Sequence, residues 1–450
     1  MNEKIIATCS ELTNKAEGIC LYKGIKIFVP QMIIGEKAQI HIIKKVRLGY
    51  LGKIVELLEP SNKRVEPKCP LFNKCGGCCM QYADYQYQGK IKRKYVKKNF
   101  NEQGMKVDIN ETILMDNPYN YRNKSERIVE KVDGEVLLGL YEQGTHKVVD
   151  VKYCYLDNEV SNKVFEVLRE GIKKFNIPIY DAENNVEGLR YILIRKNYFN
   201  SDLTIVLINS VDYFNENDEL IKYLIPILKE YDLTIVQNIN DTKGNVVLGN
   251  IEQVLFGKGY NVAELLGLRF KVSPKSFFQI NSIQIAKVYG DAIKMANISK
   301  YDTVLDTYCG TGTIGILASR YAKKVVGVEI NEDAIKDANF NAEFNSVDNV
   351  EFYQEDSTKY ILNSKEKFDL VFIDPPRKGC TTEFLNALVE KKPNKIIYIS
   401  CNPETLARDI NILKDAFDIK LVQPVDLFPQ TVHIETVVLL TKKDNQQKTL

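Results

Sequence analysis

The chain has 450 residues, of which 44% are hydrophobic and 27% charged, and its net charge is +2. A chain of this length can bury the cores of about two to four domains, and the near-neutral balance excludes a globally basic nucleic-acid binder, so any such surface must be local. The opening MNEKIIATCSELT lacks a signal peptide's apolar core and no uncharged apolar run approaches the roughly 18 residues of a spanning helix, so a cytoplasmic protein without a membrane is expected.

Residues 1–58 alternate short apolar runs with Gly and Lys (GICLYKGIKIFVP, KAQIHIIKKVRLGYLGKIVELL), which predicts a small antiparallel barrel or sheet. A cysteine-rich stretch follows in segment 59–104: Cys69, Cys75 and Cys78 stand as C-x5-C-x2-C, Cys79 adjoins them, and Cys154 lies far downstream. Gly76 and Gly77 let the backbone turn tightly enough for thiolates to converge, and four thiolates suit zinc or an iron–sulfur cluster; spacing alone leaves both open. A disulfide reading is weak in a reducing compartment. The stretch Gly89–Lys98 carries six positive charges and no negative one, which predicts a helix with a basic face. Tyr82, Tyr85, Tyr87 and Tyr95 beside it are expected to stack on unpaired bases, and Arg122, Lys124 and Arg127 to add phosphate contacts. Segment 105–264 mixes strand-like runs (LRYILIRK, LTIVLINS, LTIVQNIN, NVVLGN) with a helix around 216–230 and reads as an α+β domain.

From residue 265 apolar strands alternate with helical lengths (TVLD, VVGVE, VEFYQ, DLVFID, KIIYIS), ending in a hairpin at ETVVLL, which predicts a doubly wound α/β domain over 265–450. VLDTYCGTGTIGILA places Gly310, Gly312 and Gly315 in a G-x-G-x-x-G turn, with Glu329 at the end of the next strand. Alone, this is a dinucleotide fingerprint. Yet Asp306 and Asp374 end two strands at the same edge, where carboxylates repel a pyrophosphate and attract a sulfonium with an α-ammonium group. S-adenosylmethionine therefore fits better than NAD. Glu329 is expected to accept the ribose hydroxyls and Asp356 the adenine amino group.

SPKSFFQIN (273–281), DTYCGTGTIG (306–315), DPPRKG (374–379), SCNPETLARD (400–409) and HIETVVLL (433–440) together resemble the RNA uracil-5-methyltransferases, in order and over the chain to about residue 442. The resemblance implies a Rossmann-like methyltransferase domain, an N-terminal TRAM barrel of the OB type, and an α+β middle domain carrying an iron–sulfur cluster. Carbon 5 of uracil is too poor a nucleophile to take a methyl group unaided, whereas a thiolate added at carbon 6 makes it an enolate carbon. By resemblance Cys401 is that thiolate and Glu435 the base that removes the carbon-5 proton. An antiparallel last strand slotted beside the fifth would bring Glu435 next to Cys401. The resemblance also implies cofactor contacts at Gln279, Tyr308, Glu329 and Asp374, a 4Fe-4S cluster on Cys69, Cys75, Cys78 and Cys154, and 23S ribosomal RNA as substrate, with the transfer-RNA T-loop as the alternative. The target uracil must leave its stack to reach Cys401. No obligate protein partner is evident, so a monomer is expected. Gln279 read without the resemblance is a helix-capping residue.

Overall fold

The computed structural model describes residues 3–212, 216–242, 244 and 246–443. Its first strands are β1 (Lys4–Leu12), β2 (Gly18–Tyr22), β3 (Ile25–Val29), β4 (Lys37–Val46) and β5 (Gly49–Glu59). Alternation decides their faces: Ile5, Ala7 and Cys9 of β1 and Ala38, Ile40 and Ile42 of β4 point inward. They close into a barrel of order β1-β2-β3-β5-β4, with β3 and β5 parallel and the other pairs antiparallel. A partly open five-stranded Greek-key barrel is the OB arrangement, and here it is closed.

The basic stretch is helical, as its composition predicts: α1 (Tyr85–Glu102) starts where Asp84 accepts the Tyr87 N–H. Next come β6 (Lys124–Val132), β7 (Glu135–Tyr141), β8 (Val148–Asp150), α2 (Glu159–Lys174), β9 (Leu189–Lys196), β10 (Asp202–Asn209), α3 (Glu216–Ile227), β11 (Asp232–Ile239) and β12 (Ile251–Phe256). They form a seven-stranded sheet of order β12-β11-β10-β9-β6-β7-β8, with α2 and α3 packed on its apolar face. The predicted strand NVVLGN is absent: residues 246–250 carry no strand, and Asn245 lies outside the described residues. Side-chain amides replace the ladder there. Asn240 Nδ2 donates to the Val246 and Val247 carbonyls, and Asn238 exchanges two hydrogen bonds with Gly249.

A hairpin, β13 (Asn261–Leu265) and β14 (Leu268–Val272), leads into α4 (Ser282–Ala296), β15 (Thr303–Thr307), α5 (Thr313–Ser319), β16 (Lys324–Glu329), α6 (Glu332–Phe344), β17 (Val350–Gln354), α7 (Ser357–Asn363), β18 (Leu370–Ile373), α8 (Thr382–Lys391), β19 (Lys395–Ser400), α9 (Pro403–Leu413), β20 (Phe417–Val425) and β21 (Glu435–Lys442). The sheet order is β17-β16-β15-β18-β19-β21-β20. The first five strands run parallel, and β21 slots antiparallel between β19 and β20. Helices cover both faces, so the parallel strands read as continuous apolar runs such as Leu370–Ile373. In such sheets ligands bind outside the strands' carboxyl ends, where the order reverses between β15 and β18. The barrel docks at that edge: Asn14, beyond β1, and Tyr95 of α1 both donate to Glu404 in the first turn of α9, at 2.9 Å each. Among the described residues no helix is long and apolar enough to cross a membrane.

Candidate active site

Asp306 sits fully buried near the end of β15. Its Oδ2 accepts the Gly315 N–H at 2.7 Å, while its Oδ1 has no partner. Burial pushes its pKa up to about 8. The glycine loop that follows is held in left-handed conformations: Tyr308 has φ +58°, Gly310 +53° and Gly312 +79°. For a tyrosine this is a strained backbone, of the kind that persists where structure over-determines it. At Gly312 a side chain is also barred by space, since a Cβ would stand 2.6 Å from the Phe352 ring. The Tyr308 ring packs edge-on against Phe384 at 5.8 Å. Glu329 accepts the Gly310 N–H at 3.2 Å and the Asn331 N–H at 2.9 Å, which aims its carboxylate along the loop. Asp356 caps α7, its Oδ1 taking the N–H groups of Thr358 and Lys359. The four strand-end acids expected from the sequence thus line one edge.

Cys401 follows the last residue of β19 and precedes Asn402, whose side chain caps α9, with Pro403 in the first turn. The antiparallel register pairs Ser400 with Thr436, so Cys401 and Glu435 face each other across two neighbouring strands. The Cys401 thiol is pushed up to about 11 by burial and by the charges of Glu435 and Asp374, while Arg377 pulls it down. Arg377 is fixed through its backbone: Asn402 Nδ2 and Thr405 Oγ1 both donate to its carbonyl. Glu435 is 2% exposed, and burial first, then Asp374, hold its carboxyl well above the ordinary range. Asp374 itself is raised to about 7, chiefly by burial. Asp306, Asp374, Glu435 and the Cys401 thiol are thus all shifted towards their neutral forms, chiefly by burial.

Gln279 is not the helix cap: Asn281 is, accepting the Gln284 N–H at 3.1 Å. The Gln279 side chain instead lies beside the buried Tyr289 hydroxyl, which makes a long 3.5 Å contact to Asp374. Tyr289 thereby joins two of the residues expected at the cofactor. The Gln279 loop is gripped from the middle domain: Asn123 Nδ2 donates to the Gln279 carbonyl at 2.9 Å and Arg195 to the Ser276 carbonyl at 2.6 Å. Tyr289, Asn123 and Arg195 carry no local motif, and their roles exist only through contacts between elements far apart in the chain.

Cys69, Cys75, Cys78 and Cys154 line one cavity of about 30 Å³, walled otherwise by Phe72, Leu140 and Arg122 among others. Among the described residues no three His, Cys, Asp or Glu side chains are grouped as ligands of a metal ion. The donor set nonetheless suits a thiophilic group. Burial holds Cys75 and Cys154 above the ordinary thiol range and Cys78 at about 12, Arg122 pulls all three down, and its buried Nε lacks a partner. Cys79 faces elsewhere, with its thiol accepting from the Val432 backbone.

The expected RNA-stacking tyrosines are structural. Tyr82 is 2% exposed and donates to the Ala16 carbonyl, Tyr85 accepts the Met115 N–H, Tyr87 packs beside Phe72, and Tyr95 is bound to Glu404. Arg122 and Arg127 are also interior groups, the latter paired with buried Asp157, and Lys124 pairs with Glu126. On α1, Lys92 is buried against Asp426 and Arg93 binds the Ile109 carbonyl and Glu111, leaving Lys90, Lys94, Lys97 and Lys98 exposed. Periodicity alone could have separated these: Lys90, Lys94, Lys97 and Lys98 share one helical face.

A doubly wound sheet with an inserted antiparallel strand, a glycine loop and acids at successive strand ends defines the class of S-adenosylmethionine-dependent methyltransferases. Within that class the chain belongs to the tRNA (uracil-5-)-methyltransferase family, whose profile matches residues 84–443. It is 40% identical over 439 residues to an uncharacterized RNA methyltransferase of Clostridium tetani, covering 96% of this chain and 95% of that protein. It is 38% identical over 449 residues to one of Oceanobacillus iheyensis, covering 98% and 97%. Among solved structures it is similar to the Pyrococcus abyssi tRNA (uracil-54, C5)-methyltransferase in complex with S-adenosyl-L-homocysteine, with a TM-score of 0.78, 27% identity, and coverage of 97% of this chain and 99% of that one. The enzyme is an RNA (uracil-5-)-methyltransferase that uses S-adenosylmethionine, and the dinucleotide-dependent reading of its glycine loop falls.

Proposed function

We propose that methylation proceeds through a covalent adduct, with Cys401 as nucleophile and Glu435 as base. The observation that carries this reading is the β19–β21 register, which sets a thiol and a buried carboxylate face to face at the edge where the cofactor acids converge. S-adenosylmethionine supplies a methyl group on a sulfonium. Gln279, Tyr308, Glu329 and Asp374 would hold it, and its positive charge beside Asp374 would relieve the field that keeps the Cys401 thiol protonated. Cys401 would lose its thiol proton to solvent and add as the thiolate to carbon 6 of the extruded uracil, and carbon 5 of the resulting enolate would displace S-adenosylhomocysteine from the methyl group. Glu435 accepts the carbon-5 proton, the carbon–sulfur bond breaks, and the 5,6 double bond returns with the thiolate released.

The substrate we propose is a uridine of 23S ribosomal RNA, presented by the barrel and by the exposed lysines of α1. This rests on the pairing of a barrel with a four-cysteine segment. A second reading, the T-loop of transfer RNA, is favoured by the likeness to the Pyrococcus abyssi enzyme, which spans 97% of this chain and so cannot leave out the barrel. Mapping 5-methyluridine in RNA from cells with and without the gene separates the two. Loss from 23S RNA is expected, and loss from transfer RNA alone would overturn the ribosomal assignment.

Cys69, Cys75, Cys78 and Cys154 would hold a 4Fe-4S cluster that ties the segment before α1 to the turn before α2, a structural role. Protein purified without oxygen is expected to be brown, with broad visible absorption and about four irons per chain if the cluster is complete. A colourless protein holding one zinc would contradict it.

A further inference from the structure

The connection from Val425 to Glu435 has no helix or strand of its own, and the carbonyls of its first half are held by other elements. The carbonyls of residues 426–430 each accept a hydrogen bond from elsewhere: Asp426 from Gln284 at 3.0 Å, Leu427 from Asn281 at 2.9 Å, Phe428 from Lys92 at 3.2 Å, Pro429 from Tyr121 at 3.1 Å, and Gln430 from the backbones of Cys79 and Met80, both at 3.1 Å. Two buried side chains of α1 also bind the segment through its side chains. Lys92, 1% exposed, meets the fully buried Asp426 at 2.6 Å. Gln88, also 1% exposed, exchanges two hydrogen bonds with Gln430, donating to its Oε1 at 3.0 Å and accepting from its N–H at 3.2 Å.

Such a network is a poor device for stability alone. A buried ion pair gives back in Coulomb energy little more than it loses in desolvation, and an apolar pair of the same volume often serves the fold as well or better. What it does supply is a single geometry for the segment. Gln430 is held in a left-handed conformation, φ +68°, and the chain runs from there through His433 and Ile434 into Glu435. The cysteine-rich segment joins the same grip: Cys78 lines the four-thiol cavity, while Cys79 and Met80 next to it bind Gln430, and the Cys79 thiol meets Val432.

We propose that Gln88 and Lys92 are positioning residues for Glu435, and that α1 with the Cys78–Met80 backbone sets the angle at which this carboxylate meets carbon 5 of the methylated ring. The proposal rests on the reading of Glu435 as the base. A carboxylate displaced by about 1 Å loses on the order of 10²-fold in the step it serves, whereas methyl transfer, which precedes that step, does not use it.

The test compares Gln88→Leu, the charge-free double variant Lys92→Met/Asp426→Asn, and Glu435→Gln in single-turnover methyl transfer, in steady-state turnover, and in the fraction of RNA bound covalently on denaturing gels. The expected result is near-normal single-turnover transfer with slowed turnover and accumulated methylated adduct in the Gln88 and Lys92/Asp426 variants, resembling Glu435→Gln in kind and weaker in degree. A merely destabilised protein would instead lose all three in proportion. If the double variant does not fold, Gln88→Leu, which removes only neutral hydrogen bonds, decides. Proportional loss, or free turnover without adduct while Glu435→Gln stalls, overturns the positioning role alone. Free turnover by Glu435→Gln overturns the base assignment and this proposal with it.

Discussion

Cys401→Ala is expected to bind S-adenosylmethionine and RNA and to methylate nothing, with turnover reduced by at least ~10⁴-fold, about 5.5 kcal/mol of transition-state stabilisation. The size follows from the chemistry: without a carbon-6 adduct, carbon 5 has no enolate character. Burial, Glu435 and Asp374 raise the Cys401 thiol to about 11, so the free enzyme is expected to hold little thiolate at neutral pH. Arg377 and the start of α9 act in the opposite sense. A sulfonium bound beside Asp374 would also act in that opposite sense, so thiol reactivity is expected to rise when the cofactor binds. Retained methylation in Cys401→Ala would remove the covalent route.

Glu435→Gln is expected to give the complementary result: one methyl transfer per active site, then a stalled methylated adduct, with turnover down about 10²- to 10⁴-fold. An amide fills the same space at β21's start but cannot accept the carbon-5 proton. The pH profile should differ as well. The Glu435 carboxyl is raised by burial and by Asp374, so its ionised, proton-accepting form grows as pH rises. Release in the native enzyme should therefore quicken with pH until the carboxyl is ionised, and in Glu435→Gln this dependence should vanish. Rapid turnover by that variant would assign the proton to another group.

Much of this site could be read in the sequence because its residues sit where strands end. DTYCGTGTIG, VVGVE, DLVFID and KIIYIS each announce a strand and the residue that follows it, and a doubly wound sheet carries all such ends to one edge. The hairpin placement of β21 then made Glu435 a neighbour of Cys401 by topology alone. What was not legible depends on side chains crossing between elements. The composition of α1 read as an RNA-binding face, yet Lys92 reaches inward to Asp426 and Tyr95 to Glu404, because a charge count does not say which helical face is covered. Arg122, Lys124 and Arg127 read as part of a basic surface, yet Arg122 lines the cysteine cavity, Arg127 is buried against Asp157, and Lys124 pairs with Glu126. NVVLGN has the composition of a strand, but Asn238 and Asn240 offered its backbone other partners.

The identity of the nucleophile can be tested directly by trapping it on RNA. Incubating the enzyme with S-adenosylmethionine and RNA carrying 5-fluorouridine, which has no carbon-5 proton for Glu435 to remove, should trap the adduct. After digestion, tandem mass spectrometry is expected to place the methylated nucleotide on the peptide SCNPETLAR, at Cys401. A nucleotide found on another residue, or methylated RNA recovered free of protein, would contradict it.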